Sequence, residues 1–107
     1  MSAPIELPMA IVDCDLDEAA LQAQVTRYHE LGARAVVRRR SALELTAQFA
    51  TEPDPELLRT TIETERECCT FFTLDYAPGD RRLTVAVSDA ARAGALDQLQ
   101  AALTTPA

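Results

Sequence analysis

The chain has 107 residues and a formal net charge of −7, with 48% hydrophobic and only 5% aromatic residues and no Trp. This is enough for one domain with a single core of Leu, Val, Ile and Ala, and too apolar for a disordered chain. The negative charge argues against nucleic acid as a partner, because phosphate backbones are held by a basic field.

The amino terminus, Met1-Ser2-Ala3-Pro4-Ile5-Glu6, lacks the basic region and apolar block of a secretion signal, and no apolar run approaches the ~18 residues of a membrane span. A cytoplasmic address, away from membranes, is therefore expected. Thiols there are kept reduced, so the three Cys residues read as metal-binding, reactive or buried.

Ile5, Leu7, Met9 and Ile11 alternate as a short first strand or arm within residues 1–14, although Pro4 and Pro8 suit only a sheet edge. A helix is predicted from about Asp17 to Leu31, capped by Asp15 or Asp17 and ended by Gly32, with Leu21, Val25 and Tyr28 along one face. Two strands follow, over residues 35–40 and 43–49. In the second, Leu43, Leu45, Ala47 and Phe49 alternate with Glu44, Thr46 and Gln48. Arg38, Arg39 and Arg40 are the one basic cluster. Neighbouring strand side chains point to opposite faces, so the three do not form one patch. They read as a solvated or edge-protecting strand, or as an anion or partner contact.

Asp54-Pro55-Glu56 starts a second helix, with a capping carboxylate, a first-turn Pro and an acid near the positive end of the helix dipole. It is expected to run to about Cys69. Phe72, Leu74 and Tyr76 alternate as a strand, Ala77-Pro78-Gly79-Asp80 is a turn, and Leu83, Val85 and Val87 form its hairpin partner. A last helix over residues 90–103 turns Leu96, Leu99 and Leu103 inward, with Gly94 weakening its first turn.

The order helix-strand-strand, helix-strand-strand, helix is an internal repeat in pattern. Leu21, Val25 and Tyr28 stand 37 residues before Leu58, Ile62 and Glu65. The predicted fold is a compact α+β single domain spanning 1–107, with halves at 15–53 and 54–107. Its sheet has four or five mainly antiparallel strands, with helices on one face.

The candidate site lies at the end of the second helix. Leu58, Ile62, Glu65 and Cys69 follow one another at helical spacing, which puts Glu65 on the apolar stripe, one turn from Cys68 and Cys69. Two readings of Glu65 follow: a buried carboxyl, or an edge residue that reaches out to water or to an Arg. The Cys pair reads either as a core-packed helix end or as a chemical site.

Adjacent α-carbons lie ~3.8 Å apart, short of the ~4.4–6.8 Å of unstrained disulfides, so a bond between Cys68 and Cys69 would be strained and easily reduced. Two thiolates can instead share a soft ion such as Zn or Cu(I), or thiophilic As or Hg. Cys14 completes a three-sulfur site if the first strand returns beside the second helix. His29 is a weaker fourth donor, since a lone helical His is more often a surface residue. The pair sits at a helix C-terminus beside Glu65 and Glu67, with Arg66 offsetting them in part, and this setting raises thiol pKa values. A bound cation reverses that effect, so metal binding fits better than a free attacking thiolate.

The run Glu65-Arg66-Glu67-Cys68-Cys69-Thr70-Phe71-Phe72-Thr73-Leu74 resembles a motif of small uncharacterised bacterial proteins: Glu, two variable residues, Cys-Cys, often Pro, an aromatic or Leu pair, then an alternating strand. The similarity extends upstream through Arg27, the 43–49 strand and Leu57-Leu58, covering most of the chain after residue 13. In that family a Cys also precedes the first helix, where Cys14 stands. The present chain departs from the pattern at Thr70, where Pro is common. The resemblance implies that Glu65, Cys68, Cys69 and Cys14 act as one unit and names no reaction.

Three functions are compatible with these residues. The first is a soft metal or metalloid binder for sensing, delivery or resistance, with Cys68, Cys69 and Cys14 as ligands and Glu65 auxiliary. The second is a small enzyme, with Glu65 as acid/base and Cys68 or Cys69 as nucleophile or redox group, in a pocket between sheet and helices. The third is a non-catalytic, dimeric interaction module, in which the Cys and Phe residues are core and function lies in an acidic surface. Nothing in the chain matches a phosphate loop, a dinucleotide fingerprint or a Ser-His-Asp set.

Overall fold

A computed structural model describes residues 17–68 and 71–104, the side chain of Cys68 excepted. The expected first strand and Cys14 lie outside the described residues.

Helix α1 spans Glu18–Gly32. Asp17 caps it: its Oδ1 accepts from the Ala20 amide at 2.8 Å and its carbonyl from the Leu21 amide at 2.8 Å. Asp17→Ala leaves first-turn amides without that acceptor. It should lower unfolding stability by about 1 kcal/mol in urea titrations, while Asp17→Asn should hold near the parent.

Strands β1 (Ala35–Ser41) and β2 (Glu44–Phe49) form the first hairpin. Helix α2 spans Pro55–Cys68, with Asp54 Oδ1 accepting from the Glu56 amide at 3.0 Å. On its exposed side Arg59 pairs with Glu56 and Glu63. Strands β3 (Phe72–Ala77) and β4 (Arg82–Val87) form the second hairpin. A 3-10 turn, Ala90–Arg92, leads into α3, Ala93–Thr104.

The described strands make one antiparallel sheet in the order β1-β2-β4-β3. Its inward residues, among them Leu45, Ala47, Phe49, Leu74, Leu83 and Val85, form the core with Leu21, Val25, Tyr28 and Leu31 of α1, Leu58 of α2, and Leu96, Leu99 and Leu103 of α3. The helices thus share one face of the sheet, as the alternation predicts. No helix among the described residues is long and apolar enough to cross a membrane.

The repeat is visible in the strand register. β2 and β4 pair so that Thr46 stands opposite Thr84, with Leu45 opposite Val85 and Ala47 opposite Leu83. Inward Leu45, Ala47 and Phe49 correspond to inward Leu83, Val85 and Val87. Residues 42–43 join the first pair of strands and residues 78–81 the second, so β4 follows β2 by 38 residues rather than 37. Corresponding residues therefore meet at the centre of the sheet, as they do about a local twofold axis.

Helix α1 ends at Gly32, as expected. No glycine among the described residues has positive φ, so Gly32 does not act there as a left-handed cap. It is needed instead for close approach, because a Cβ there would fall 1.7 Å from the Leu103 carbonyl oxygen of α3. In the second hairpin turn Arg81 takes the left-handed conformation, at φ 51.

Candidate functional site

The repeat brings its own equivalent positions together a second time, between α1 and α2. Gln24 and Tyr28 lie one turn apart on α1, and Thr61 and Glu65 one turn apart on α2. The Tyr28 hydroxyl donates to Glu65 Oε1 at 2.7 Å. Gln24 Nε2 donates to the same oxygen at 3.0 Å and to the Thr61 carbonyl at 2.9 Å. Tyr28 and Glu65 are 37 residues apart, as are Gln24 and Thr61. All four are buried, with Glu65 1% exposed.

Of the two readings of Glu65, the edge position paired with an Arg is therefore corrected. The carboxyl is inside, and its described partners are an amide and a phenol. Gln24 is itself held in one orientation. Its Oε1 accepts from Arg27 Nη1 at 2.5 Å, which leaves Nε2 facing the Thr61 carbonyl and Glu65, both acceptors. A flipped amide would place two oxygens against each other at the Thr61 carbonyl. Arg27, on the half-buried side of α1, thus acts on Glu65 through Gln24.

Burial pushes the Glu65 carboxyl above the ordinary glutamate value, and the hydrogen bonds from Gln24 and Tyr28 offset this only in part. Burial, followed by the Glu65 charge, pushes the Tyr28 phenol well above its usual range. Tyr28 is therefore a donor at every physiological pH. Both lone pairs of Glu65 Oε1 are taken, so a proton on this carboxyl sits on Oε2. Among the described residues, Glu65 Oε2 and Gln98 Oε1 are the buried side-chain atoms with no hydrogen-bond partner. Such an atom in a core normally finds one, and an orphaned polar group costs ~1–3 kcal/mol.

Glu65 precedes Cys68, the last residue of α2, by one helical turn. Cys69 and Cys14 lie outside the described residues, as does the Cys68 side chain, so of the four predicted site residues Glu65 alone has described side-chain geometry. Past the helix end, the Phe71 and Phe72 rings pack at 4.7 Å between centroids, tilted by 43°, with the Arg92 guanidinium 4.3 Å from the Phe71 ring centre. Arg66 donates to the Leu74 carbonyl at 2.8 Å, tying α2 to β3. His29 places Nδ1 2.6 Å from the Ala102 carbonyl of α3. No group of three or more His, Cys, Asp or Glu residues is placed to hold a metal ion among the described residues.

Sequence reasoning missed Gln24 and Thr61. The signal for Gln24 was present: it falls on the α1 stripe between Leu21 and Tyr28, a polar residue at a core position, as Glu65 is on α2. No protein-family model, curated protein or solved structure matches the chain.

Proposed function

We propose that the protein binds a thiophilic ion, Zn(II), Cu(I) or trivalent arsenic among them, through Cys68 and Cys69, with Cys14 as third sulfur and Glu65 as the auxiliary carboxyl. The observation that carries this reading is the state of Glu65: buried, held at Oε1 by two donors, and unpartnered at Oε2 among the described residues, one turn before the Cys pair. Each thiol must lose its proton to bind a soft ion. Cys68 ends α2, at the negative end of its dipole, and a helix C-terminus does not favour a thiolate as a helix N-terminus does. An ionised Glu65 can take the thiol proton up on Oε2 and becomes the uncharged acid that burial favours. The role is one of sensing, delivery or resistance.

The reduced full-length chain should bind Zn(II) or arsenite at about one ion per chain, in competition with a chromophoric chelator or dithiol. Cys68→Ser should abolish stoichiometric binding. Glu65→Gln should weaken it about tenfold, as loss of a group supporting the ligands does. Undiminished binding by Cys68→Ser/Cys69→Ser would sink the proposal.

The raised Glu65 carboxyl also supports a second reading, a small enzyme in which Glu65 is the acid/base and a Cys the nucleophile. Rapid alkylation of one Cys at neutral pH, slowed by Glu65→Gln, would favour it. Thiols no faster than free cysteine would count against it.

A further inference from the structure

The helices cover one face of the sheet, and the other face carries a second constellation. Its residues are the outward ones: Arg38 and Arg40 of β1, Glu44, Thr46 and Gln48 of β2, and Arg82 and Thr84 of β4, which together line a concavity of about 390 Å³. We propose that this concavity binds a small phosphoryl anion between Arg38, Arg40 and Arg82.

Strand register assembles the charge. Arg38 and Arg40 share a face because they are two apart, and β2 brings β4 alongside. Arg38 stands opposite Thr46 and Thr46 opposite Thr84, while Arg82 stands opposite Gln48. Three guanidinium groups and the Glu44 carboxylate therefore line one side of a chain whose net charge is −7, with Asp80 pairing Arg82 from the hairpin turn at 3.8 Å. The twofold relation of the hairpins is broken here: the position equivalent to Arg38 is Asp75 on β3, so positive charge is gathered at the β1 side.

Arg39 shows what a structural arginine looks like on the same strand. It points to the helix face and is tied to Asp97 at 2.6 Å, to Gln100 at 2.9 Å and to two backbone carbonyls. The side chains of Arg38 and Arg40 make no hydrogen bond or ion pair among the described residues, although their strand is paired with β2. Arg82 is oriented by Gln48, whose Oε1 accepts from its Nε at 3.2 Å.

Guanidinium forks match phosphoryl oxygens better than point charges do, and the Thr46 and Thr84 hydroxyls on the floor add short donors. Thr46 is only 8% exposed, so its contacts would be partly shielded from water. The volume falls in the ~300–1,000 Å³ range of small-molecule sites and exceeds what one phosphate needs. Glu44 at the rim suits a hydroxyl or amine on the rest of the ligand. A second copy stacked on this face would have to bury the same three arginines, which disfavours it.

The test is calorimetric titration of the full chain with inorganic pyrophosphate at low salt. Binding should be stoichiometric and should weaken as salt rises. Arg38→Gln and Arg40→Gln should each lower affinity about tenfold, and Glu44→Gln should raise it. Arg39→Gln, on the opposite face, should leave affinity unchanged even if it lowers the melting temperature. Because Arg38 and Arg40 are exposed, their variants should melt with the parent, which separates lost binding from lost fold. Equal binding by the Arg38→Gln/Arg40→Gln double variant overturns the proposal. So does a single-stranded oligonucleotide bound in preference to pyrophosphate, or a dimer that Arg38→Gln dissociates in the absence of pyrophosphate binding. Each outcome is independent of the Cys variants.

Discussion

Gly32→Ala should cost ~3 kcal/mol or more, at or above the upper end for overpacking a core. The added Cβ would fall 1.7 Å from the Leu103 carbonyl oxygen, 2.5 Å from its carbon and 2.8 Å from its Cα. These are backbone atoms of α3, so no rotamer change can make room. Relief requires α1 and α3 to move apart, and that opens the layer in which Leu31, Leu99 and Leu103 are at most 1% exposed. Chemical denaturation should report the loss directly. Gly94→Ala is the control: open space surrounds its Cβ, it lies in the first turn of α3, and Ala there should stabilise by up to ~1 kcal/mol. If the two variants unfold at the same denaturant concentration, the close approach is not what Gly32 is for.

Glu65→Leu should be the next most damaging change, and its cost should depend on pH. Leucine fits a buried site but strands the Tyr28 hydroxyl, while Gln24 keeps the Thr61 carbonyl as one acceptor. An orphaned buried donor costs ~1–3 kcal/mol. The parent carries an opposing burden because its carboxyl titrates higher folded than unfolded. The folded state then holds the proton more tightly, so this contribution is complete below the unfolded glutamate value. It falls as pH climbs toward the raised folded value and is constant beyond. Glu65→Leu should therefore be most destabilising in acid and least so at neutral pH and above.

Glu65→Gln keeps an acceptor at Oε1 and does not titrate. It should track the parent in acid and exceed it in stability at higher pH. Adding Tyr28→Phe to Glu65→Leu removes the stranded hydroxyl and should recover part of the loss, giving a coupling of ~0.5–3 kcal/mol in a double-mutant cycle. A Glu65→Leu deficit that does not change between pH 4 and pH 8, a span of about four units around ordinary glutamate titration, would show that Glu65 is not a buried titrating acid.

These outcomes bear on the proposed function because they address the state of the carboxyl separately from the thiols. A Glu65 that proves buried and titrating while the Cys variants bind ions undiminished would leave the acid without that role. Loss of binding in the Cys variants together with a pH-dependent Glu65 would join the two.

Much of the fold was legible in the amino-acid order because local periodicity is a local property. Alternation in residues 43–49 and 83–87 named the strands and their inward faces, and Asp17 and Asp54-Pro55 marked two helix starts. The spacing of 37 residues named the repeat. For the site, the stripe through Leu58, Ile62 and Glu65 was enough to place a carboxyl where a hydrophobe belongs. It did not say whether that carboxyl was inside or at the edge, because a stripe has margins and only the packing neighbour settles which residues reach the core.

By itself, then, the sequence determined the elements, their faces and the oddity of Glu65, since each depends on neighbours a few residues away along one helix or strand. Tertiary structure decided which elements meet. It set Gln24 and Tyr28 of α1 against Glu65, and the α3 backbone against Gly32. It also gathered Arg38, Arg40 and Arg82 on one face through the β1-β2-β4 register while turning Arg39 to the helices. These are contacts between residues far apart in the chain, fixed by strand register and helix packing, and no periodicity within a single element carries them.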